Sequence, residues 1–206
     1  MAKAEHRYTY LEITFHWTMA VLILLQLGWG WWMQRAPAGY EMFGAYQRHN
    51  DIGFVILLLA LVRLFWRMIT PRPPYTEEVK EQPGWQHVAA RLTHLSFYGL
   101  MIGLPVSGWV LLSATAADVP IAVFGLVPLP HLSWIAALPA GRASQLEDIL
   151  QAVHWVMVWA LVALTVVHAG AALKHHFIDR DPVLTRMAPI LEELPEEPPE
   201  EGLGRA

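Results

Sequence analysis

The chain has 206 residues, of which 55% are hydrophobic and only 16% are charged, a composition typical of membrane proteins rather than soluble domains. It contains no cysteine, which excludes disulfides, thiolate-ligated iron–sulfur clusters and thiol catalysis. The net charge of −4 comes from the tail after Ile190, where six glutamates stand against one arginine. The remainder is close to neutral, so nothing suggests a nucleic-acid partner.

Four apolar stretches are each long enough to cross a bilayer as a helix, for which roughly 20 residues are needed. They cover about residues 11–33, 46–68, 90–113 and 149–174. A polar, proline-rich connection separates the second from the third, and residues 114–147 read as a structured loop over the membrane surface. After the last stretch, HHFIDRDPVLTRMAP is typical of an interfacial segment, and residues 191–206 of a disordered, acidic, proline-rich tail. The sequence therefore predicts an all-α membrane protein, a four-transmembrane-helix bundle whose single domain covers residues 1–190.

Lysine and arginine set the predicted orientation of this bundle. If the spans alternate in direction, ten of these residues fall on one side, namely Lys3, Arg7, Arg63, Arg67, Arg72, Lys80, Arg91, Lys174, Arg180 and Arg186. Only Arg35, Arg48 and Arg142 fall on the other side. The positive-inside rule then places both termini and the middle loop in the cytoplasm.

The spans carry histidines, which are costly inside a bilayer and therefore indicate function. His154 and His168 are fourteen residues apart on the fourth span, so they leave the same helix face ~21 Å apart along the axis. Their depths match His49 on the outer side and His16 on the inner side. Two histidines from facing helices at one level suit bis-histidine ligation of haem iron, so the pattern predicts two stacked cofactors.

Intramembrane histidines also have interpretations other than haem ligation. A single intramembrane histidine also serves as an interhelical hydrogen-bond donor, and zinc would lack its usual three or four protein ligands. Haem b is favoured over a covalently attached haem because the chain has no CxxCH motif. Gly53, one helical turn after His49, is expected to let a flat macrocycle approach the backbone.

Several motifs together identify a family resemblance. They are FHW at 15–17, HNDIG at 49–53, THLSFYGLMIGLPVSGW at 93–109 and HHFIDRDPVLTRMAP at 175–189, together with the pair His154 and His168. In these residues the chain resembles bacterial cytochrome b561, and it is more distantly similar to the cytochrome b subunits of formate dehydrogenase and nickel–iron hydrogenase. The resemblance implies a four-helix, di-haem b protein of the bacterial cytoplasmic membrane that exchanges electrons with quinone. It also implies the ligands His16, His49, His154 and His168, and some members are superoxide oxidases.

The chain departs from the family pattern at two places. Asn50 and Asp51 stand where a basic and then a small polar residue are usual, and Pro182 replaces a small or polar residue in the last motif. A carboxylate at Asp51 would stabilise ferric haem and lower its reduction potential, or would pair with Arg48.

Each of the further candidate residues has two possible roles. His94 lies at nearly the depth of His16 and serves either as a neighbour of the inner haem or quinone or in helix packing. His175 and His176 are expected to anchor the chain at the interface rather than to serve propionates or quinone. The outer arginines would attract superoxide or contact phospholipid, and Arg63 and Arg67 would serve propionates or phosphates.

Three functions follow from these observations. The first is an electron carrier that exchanges with quinone and serves a membrane or periplasmic redox partner protein. The second is a superoxide oxidase that passes electrons to ubiquinone. The third is a non-redox, histidine-lined transporter. No residue is predicted to be catalytic by itself, because haem would supply the redox chemistry.

Overall fold

The computed structural model describes residues 8–70, 74, 76–115 and 121–191. Four long helices dominate it, α1 (Tyr10–Met33), α2 (Tyr40–Ile69), α4 (Gly84–Ala114) and α6 (Ala140–Lys174). Shorter elements connect or follow them: α3 (Glu77–Lys80), strands β1 (Ile121–Val123) and β2 (Val127–Leu129), α5 (Ser133–Ala136), a π-helical turn (His175–Asp179) and a 3₁₀ turn (Pro189–Leu191). The four long helices are apolar and long enough to cross a membrane, which confirms the predicted bundle.

Three of the long helices begin earlier than the apolar stretches predicted. The helix α2 begins six residues before residue 46, α4 six residues before residue 90, and α6 nine residues before residue 149. The prediction that residues 114–147 form a loop is therefore wrong from Ala140 onward. Hydropathy locates only the part of a helix that crosses the membrane. The helical hydrogen bonds of α4 and α6 extend beyond that part, and each helix begins directly after a proline, Pro83 or Pro139.

The start of α1 is fixed by a reciprocal cap. Thr9 Oγ1 accepts a hydrogen bond from the backbone N–H of Glu12 at 3.3 Å, and the Glu12 carboxylate accepts one from the backbone N–H of Thr9 at 3.0 Å. This capping box satisfies two backbone donors that a helix start leaves free. It also holds the Glu12 carboxylate at the inner end of the bundle.

A small antiparallel hairpin, β1–β2, lies over the outer end of α2 and was not predicted. Its turn is formed by Phe124 and Gly125, which have φ values of 54° and 66°. The carboxylate of Asp51 accepts a hydrogen bond from the backbone N–H of Phe124 at 2.7 Å, and the Gln47 side chain donates to the carbonyl of Ala122. Asp51 therefore anchors the hairpin on α2, which gives this departure from the family pattern a structural role.

The helices enclose an apolar core near the middle of the bundle. The helix α2 packs against α1 and α4, and α4 packs against α6. The buried side chains of this core are Met19, Ile23, Ile56, Ala60, Met101 and Leu161. Many large apolar side chains on the outer faces are exposed, such as Val21, Leu24 and Leu58, as expected for faces that meet lipid.

The segment after α6 folds back under the inner end of the bundle. The Asp181 carboxylate is buried and accepts hydrogen bonds from Gln82 Nε2 at 2.7 Å and from the backbone N–H of Val183 at 3.0 Å. Trp17 Nε1 donates to the carbonyl of Met187 at 2.8 Å. These contacts join the interfacial segment to α1 and to the middle loop. The predicted disordered tail lies outside the described residues from position 192 onward.

Candidate functional site

The structure brings the four predicted histidines together as two pairs. The ring centroids of His16 and His168 are 6.1 Å apart, and those of His49 and His154 are 6.4 Å apart. One member of each pair lies on α6, while its partner lies on α1 at the inner end and on α2 at the outer end. His168 therefore has His16 as a neighbour and His154 has His49, the partners expected from depth in the membrane, and the ring of His94 lies nearer still to His168, at 5.8 Å.

The separation of the rings can be compared with what a shared metal requires. A metal–nitrogen bond of about 2.0 Å on each side, plus about 1.2 Å from each nitrogen to its ring centre, places the two centroids about 6.4 Å apart. The observed separations of 6.1 and 6.4 Å are close to this value. Both centroid separations are thus compatible with one metal ion held between two imidazoles.

The side chains around both pairs lie in three layers that repeat every seven residues along the four long helices. Seven residues advance a helix by ~10.5 Å and return it to nearly the same face. The inner layer holds His16, Arg63, His94 and His168. The middle layer holds Ile23, Ile56, Met101 and Leu161. The outer layer holds Gly30, His49, Gly108 and His154.

The middle layer separates the two histidine layers with buried apolar side chains. All four of its members belong to the core, and none is more than 8% exposed. These four side chains carry no charged or hydroxyl group, so they offer no polar path between the two sites. This layer is an insulating spacer rather than a polar pathway, which disfavours the transporter interpretation.

The outer layer opens into a cavity of about 520 Å³ that is almost wholly apolar. Its lining comes from all four long helices and from both strands of the hairpin, and it includes His49 and His154. Its few polar side chains are those of Gln26, Asn50 and Gln151, with Gln34 near the mouth. Both the size and the lining are typical of a site for a cofactor or small ligand.

Two glycines shape this outer layer in a way that the sequence did not reveal by itself. A Cβ atom at Gly30 would lie 3.3 Å from Cε1 of His49, and one at Gly108 would lie 3.7 Å from Cε1 of His154. The imidazoles therefore rest against bare backbone of α1 and α4. The signal for these glycines is their fourteen-residue spacing from His16 and His94, which becomes meaningful once the four helices are aligned by depth.

A hydroxyl group determines which nitrogen of His154 is free. Ser107 Oγ lies 2.8 Å from the carbonyl of Leu104 and 2.8 Å from His154 Nδ1. With the single hydroxyl proton assigned to the carbonyl, Nδ1 carries a proton and donates it to Ser107. The tautomer leaves the Nε2 lone pair of His154 available to a metal.

The surroundings of His49 Nδ1 differ from those of His154 Nδ1. Its Nδ1 edge lies 3.5 Å from the position of a Cβ at Gly30, and within the described residues this buried nitrogen has no hydrogen-bond partner. Gln26 donates from Nε2 to the backbone carbonyl of His49 at 2.9 Å, and its own Oε1 is likewise buried and unpartnered among the described residues. Gly53 lines the cavity as expected, and its missing side chain also gives Gln26 room, since a Cβ there would lie 3.4 Å from Nε2.

The inner layer gathers more polar groups than the two predicted ligands. The ring of His94 lies 5.8 Å from that of His168, about as close as the ring of His16, and Phe97 lies 5.3 Å from it. Arg63 Nη2 lies 3.4 Å from His16 Nδ1. His94 is thus a direct neighbour of the inner pair, and Arg63 reaches the ring of a predicted ligand rather than only the membrane surface.

The remaining candidates have other contacts. The guanidinium of Arg35 stacks on Trp31 at 4.2 Å and that of Arg48 on Trp29 at 5.5 Å. His175 Nδ1 lies 2.6 Å from Asp181 and 3.3 Å from Asp179, and Lys174 is bound to Asp179. These contacts fit the expected interfacial role of His175.

Comparison with known proteins agrees with this geometry. The family profile of prokaryotic cytochrome b561 matches residues 7–189. Cytochrome b561 homolog 2 of Escherichia coli is 33% identical over 185 residues, covering 88% of this chain and 90% of the relative. The probable superoxide oxidase CybB of Yersinia pestis is 31% identical over 189 residues (89% and 96%), and cytochrome b562 of Cereibacter sphaeroides is 29% identical over 192 residues (89% and 96%). The chain therefore belongs to the prokaryotic cytochrome b561 family, and it is a haem b-binding electron-transfer protein of the bacterial inner membrane.

Proposed function

We propose that the protein holds two haem b groups, one in each histidine layer, and relays electrons across the membrane in exchange with quinone. His49 and His154 would be the axial ligands of the outer haem, and His16 and His168 those of the inner haem. The proposal takes residues 1–190 as the di-haem domain and residues 191–206 as a tail outside it.

One observation carries this proposal: two histidine pairs at different depths share α6, with ring separations of 6.1 and 6.4 Å that suit a bridging iron. A zinc ion at either pair would lack protein ligands, whereas haem supplies four nitrogens of its own. The apolar cavity around the outer pair suits a flat, mostly apolar ring, and the glycines at positions 30 and 108 let the imidazoles pack against the backbone of α1 and α4.

Haem b, when bound, supplies one-electron chemistry at iron. The residues of the chain would hold each haem and determine its surroundings. The four histidines would hold the two irons, and Ser107 would keep the His154 ring in one tautomer and orientation. The middle layer keeps the two sites apart and dry, so that each electron step is shorter than the thickness of the membrane.

The proposal is tested by counting haem in the purified protein. A pyridine haemochrome assay is expected to give two haem b per chain, and a redox titration is expected to resolve two one-electron components. The reduced protein should be reoxidised by a soluble ubiquinone analogue. A count of one haem per chain would refute the di-haem proposal, and no Soret band in the membrane fraction would refute haem altogether.

Replacement of Ser107 by alanine tests the assigned tautomer. We expect Ser107→Ala to keep both haems but to raise the reduction potential of the outer one. Without the acceptor at Nδ1, His154 becomes a less basic ligand and stabilises the ferric state less. A hydrogen bond of about 0.5–1.5 kcal/mol corresponds to about 20–60 mV for a one-electron couple.

The matched control is Ser113→Ala on the same helix, because Ser113 Oγ contacts the backbone carbonyl of Trp109 and the N–H of Leu132 rather than a histidine. Potentiometric titration of both variants provides the comparison. An equal shift in the two variants, or none in Ser107→Ala, would contradict the role given to Ser107.

Superoxide oxidation is the second candidate function. It is favoured by the relative named a probable superoxide oxidase and by the three arginines at the outer end, Arg35, Arg48 and Arg142. In this reaction two superoxide anions each lose one electron to become dioxygen, while ubiquinone takes up two electrons and two protons. Pulsed superoxide with purified protein and quinone should then yield quinol without a partner protein, at a rate that falls with ionic strength. Intact haem spectra without quinol formation would favour an electron carrier that needs a redox partner.

A further inference from the structure

Arg63 is a cation within the membrane-spanning part of α2, in the inner layer. It lies fourteen residues after His49, so it occupies on α2 the level that His168 occupies on α6. Its guanidinium is partly buried and reaches His16 Nδ1 at 3.4 Å and the sulfur of Met19 at 3.9 Å. A charged side chain inside the membrane is energetically costly, so its presence there indicates a functional role.

The charge of Arg63 is less compensated than that of the next arginine on the same helix. Arg67, one turn further on, forms an ion pair with Glu12 at 3.6 Å. Among the described residues no carboxylate lies within 4.0 Å of Arg63, whose polar contacts are a histidine ring and a thioether. The inner pair therefore has a fixed positive charge directly beside one of its rings.

A positive charge next to an axial ligand favours the reduced state of the iron. Ferric iron carries one more positive charge than ferrous iron, so a nearby cation destabilises the ferric state through its Coulomb field in a medium of low dielectric constant. A guanidinium also has only donors and offers no acceptor to His16. At the outer site the reverse holds, since Ser107 accepts the Nδ1 proton of His154 and makes that ring a stronger ligand for ferric iron.

The charges beside the outer pair do not repeat this arrangement. Arg48 and Asp51 flank His49 with opposite signs, and Asp51 is fixed by its hydrogen bond to the hairpin. Their effects on the outer iron oppose each other. The two histidine layers are thus electrostatically unequal, because on the inner side the guanidinium of Arg63 contacts a histidine ring and Glu12 acts on it only from beyond ion-pair distance.

We propose that Arg63 tunes the inner site so that the inner haem has the higher reduction potential and an electron entering at the outer site moves inward. This inference rests on the proposed di-haem function. In the step concerned, one electron leaves the outer iron, which is oxidised from ferrous to ferric, and reduces the inner iron from ferric to ferrous. No bond is broken and no proton is transferred between the sites. The outer donor is superoxide or a reduced partner protein, and quinone is the final acceptor.

The test is a potentiometric titration of the purified protein carrying both haems, with Arg63→Gln compared with Arg67→Gln. Arg63→Gln should lower the inner component, identified as the one missing from a His16→Ala/His94→Ala variant. The electron distribution between the two haems should shift toward the outer one about tenfold or more, which is about 59 mV for a one-electron couple. Arg67→Gln should change this distribution less, since its charge is paired, and Arg63→Lys should keep most of the wild-type difference.

A second variant covers the case in which Arg63→Gln fails to hold its inner haem. Glu12→Gln keeps a capping-box side chain but removes the negative charge beside Arg67, so it should raise the inner component. The inference would be overturned if Arg63→Gln kept both haems and the difference between their reduction potentials were unchanged. If Arg63→Gln loses its inner haem, an unchanged difference in Glu12→Gln would overturn it instead. Either result would leave the di-haem proposal intact. A wild-type protein with a single haem would overturn both.

Discussion

His154→Ala is expected to remove the outer haem and keep the inner one, and His168→Ala to do the reverse. Each variant should therefore carry about one haem per chain instead of two, with the loss confined to one component of the redox titration. The reason is that α6 supplies one imidazole to each pair, at centroid distances of 6.4 and 6.1 Å from its partner. The middle layer prevents the remaining haem from being shared between the sites, because its buried apolar side chains fill the space between them.

The measurement combines a pyridine haemochrome assay with low-temperature optical spectra of the purified variants. His176→Ala is a suitable control, because this histidine follows α6, makes an edge-to-face contact with Phe177 and should leave both haems in place. Retention of two haems in either ligand variant would contradict the pairing. Loss of both haems in His154→Ala, together with loss of the folded protein, would be distinguished from selective loss by the elution profile of the detergent-solubilised protein.

Variants of His16 are a weaker test of the same pairing. His94 lies 5.8 Å from His168, so it is close enough to replace His16 as the partner of that ring. We therefore expect His16→Ala alone to retain part of the inner haem, with an altered spectrum. The double variant His16→Ala/His94→Ala should lose it fully. An inner haem that persists in the double variant would place its second ligand elsewhere.

The sequence was sufficient to predict the features that depend on one helix at a time. Hydropathy gave the four spans, and the fourteen residues between His154 and His168 gave two ligands on one face. The pairing with His49 and His16 also followed, because alternating spans fix which ends share a side of the membrane. These predictions needed only the helical repeat and the thickness of the bilayer.

Features that depend on how two helices are rotated against each other could not be predicted. The contact of Ser107 with His154 requires that α4 turn this serine toward α6, and nothing in the hydropathy of either helix determines that rotation. The same applies to Arg63, which was expected to serve propionates or phosphates and whose contact with His16 depends on the rotation of α2. The hairpin was missed because three-residue strands with prolines nearby give no periodic pattern. For Asp51 the sequence suggested an effect on the haem potential or a pair with Arg48, and it gave no sign that the carboxylate also holds the hairpin turn.

Gly30→Val is expected to remove the outer haem, although residue 30 is not a ligand. A Cβ at this position would lie 3.3 Å from Cε1 of His49, and the two methyl groups of valine would reach further into the imidazole. The ring cannot stay in place, and a ligand displaced by about 1 Å no longer meets the geometry that a bound metal requires. The haem content should fall to about one per chain, with the inner component unchanged.

The matched control is Gly28→Val, two residues earlier on the same helix. A Cβ at Gly28 meets nothing within 4 Å, so this variant shares the change in helix propensity but not the contact with His49. Gly108→Ala gives a second comparison, since its Cβ would lie 3.7 Å from His154, an ordinary contact distance, and should keep both haems. The three variants separate steric displacement of the ligand from a general effect of side chains on the bundle. If Gly28→Val lost as much haem as Gly30→Val, the close approach of α1 to His49 would not be what keeps the outer site open. If Gly30→Val alone loses the outer haem, a glycine that is not a ligand is as necessary to the outer site as His49 and His154 are.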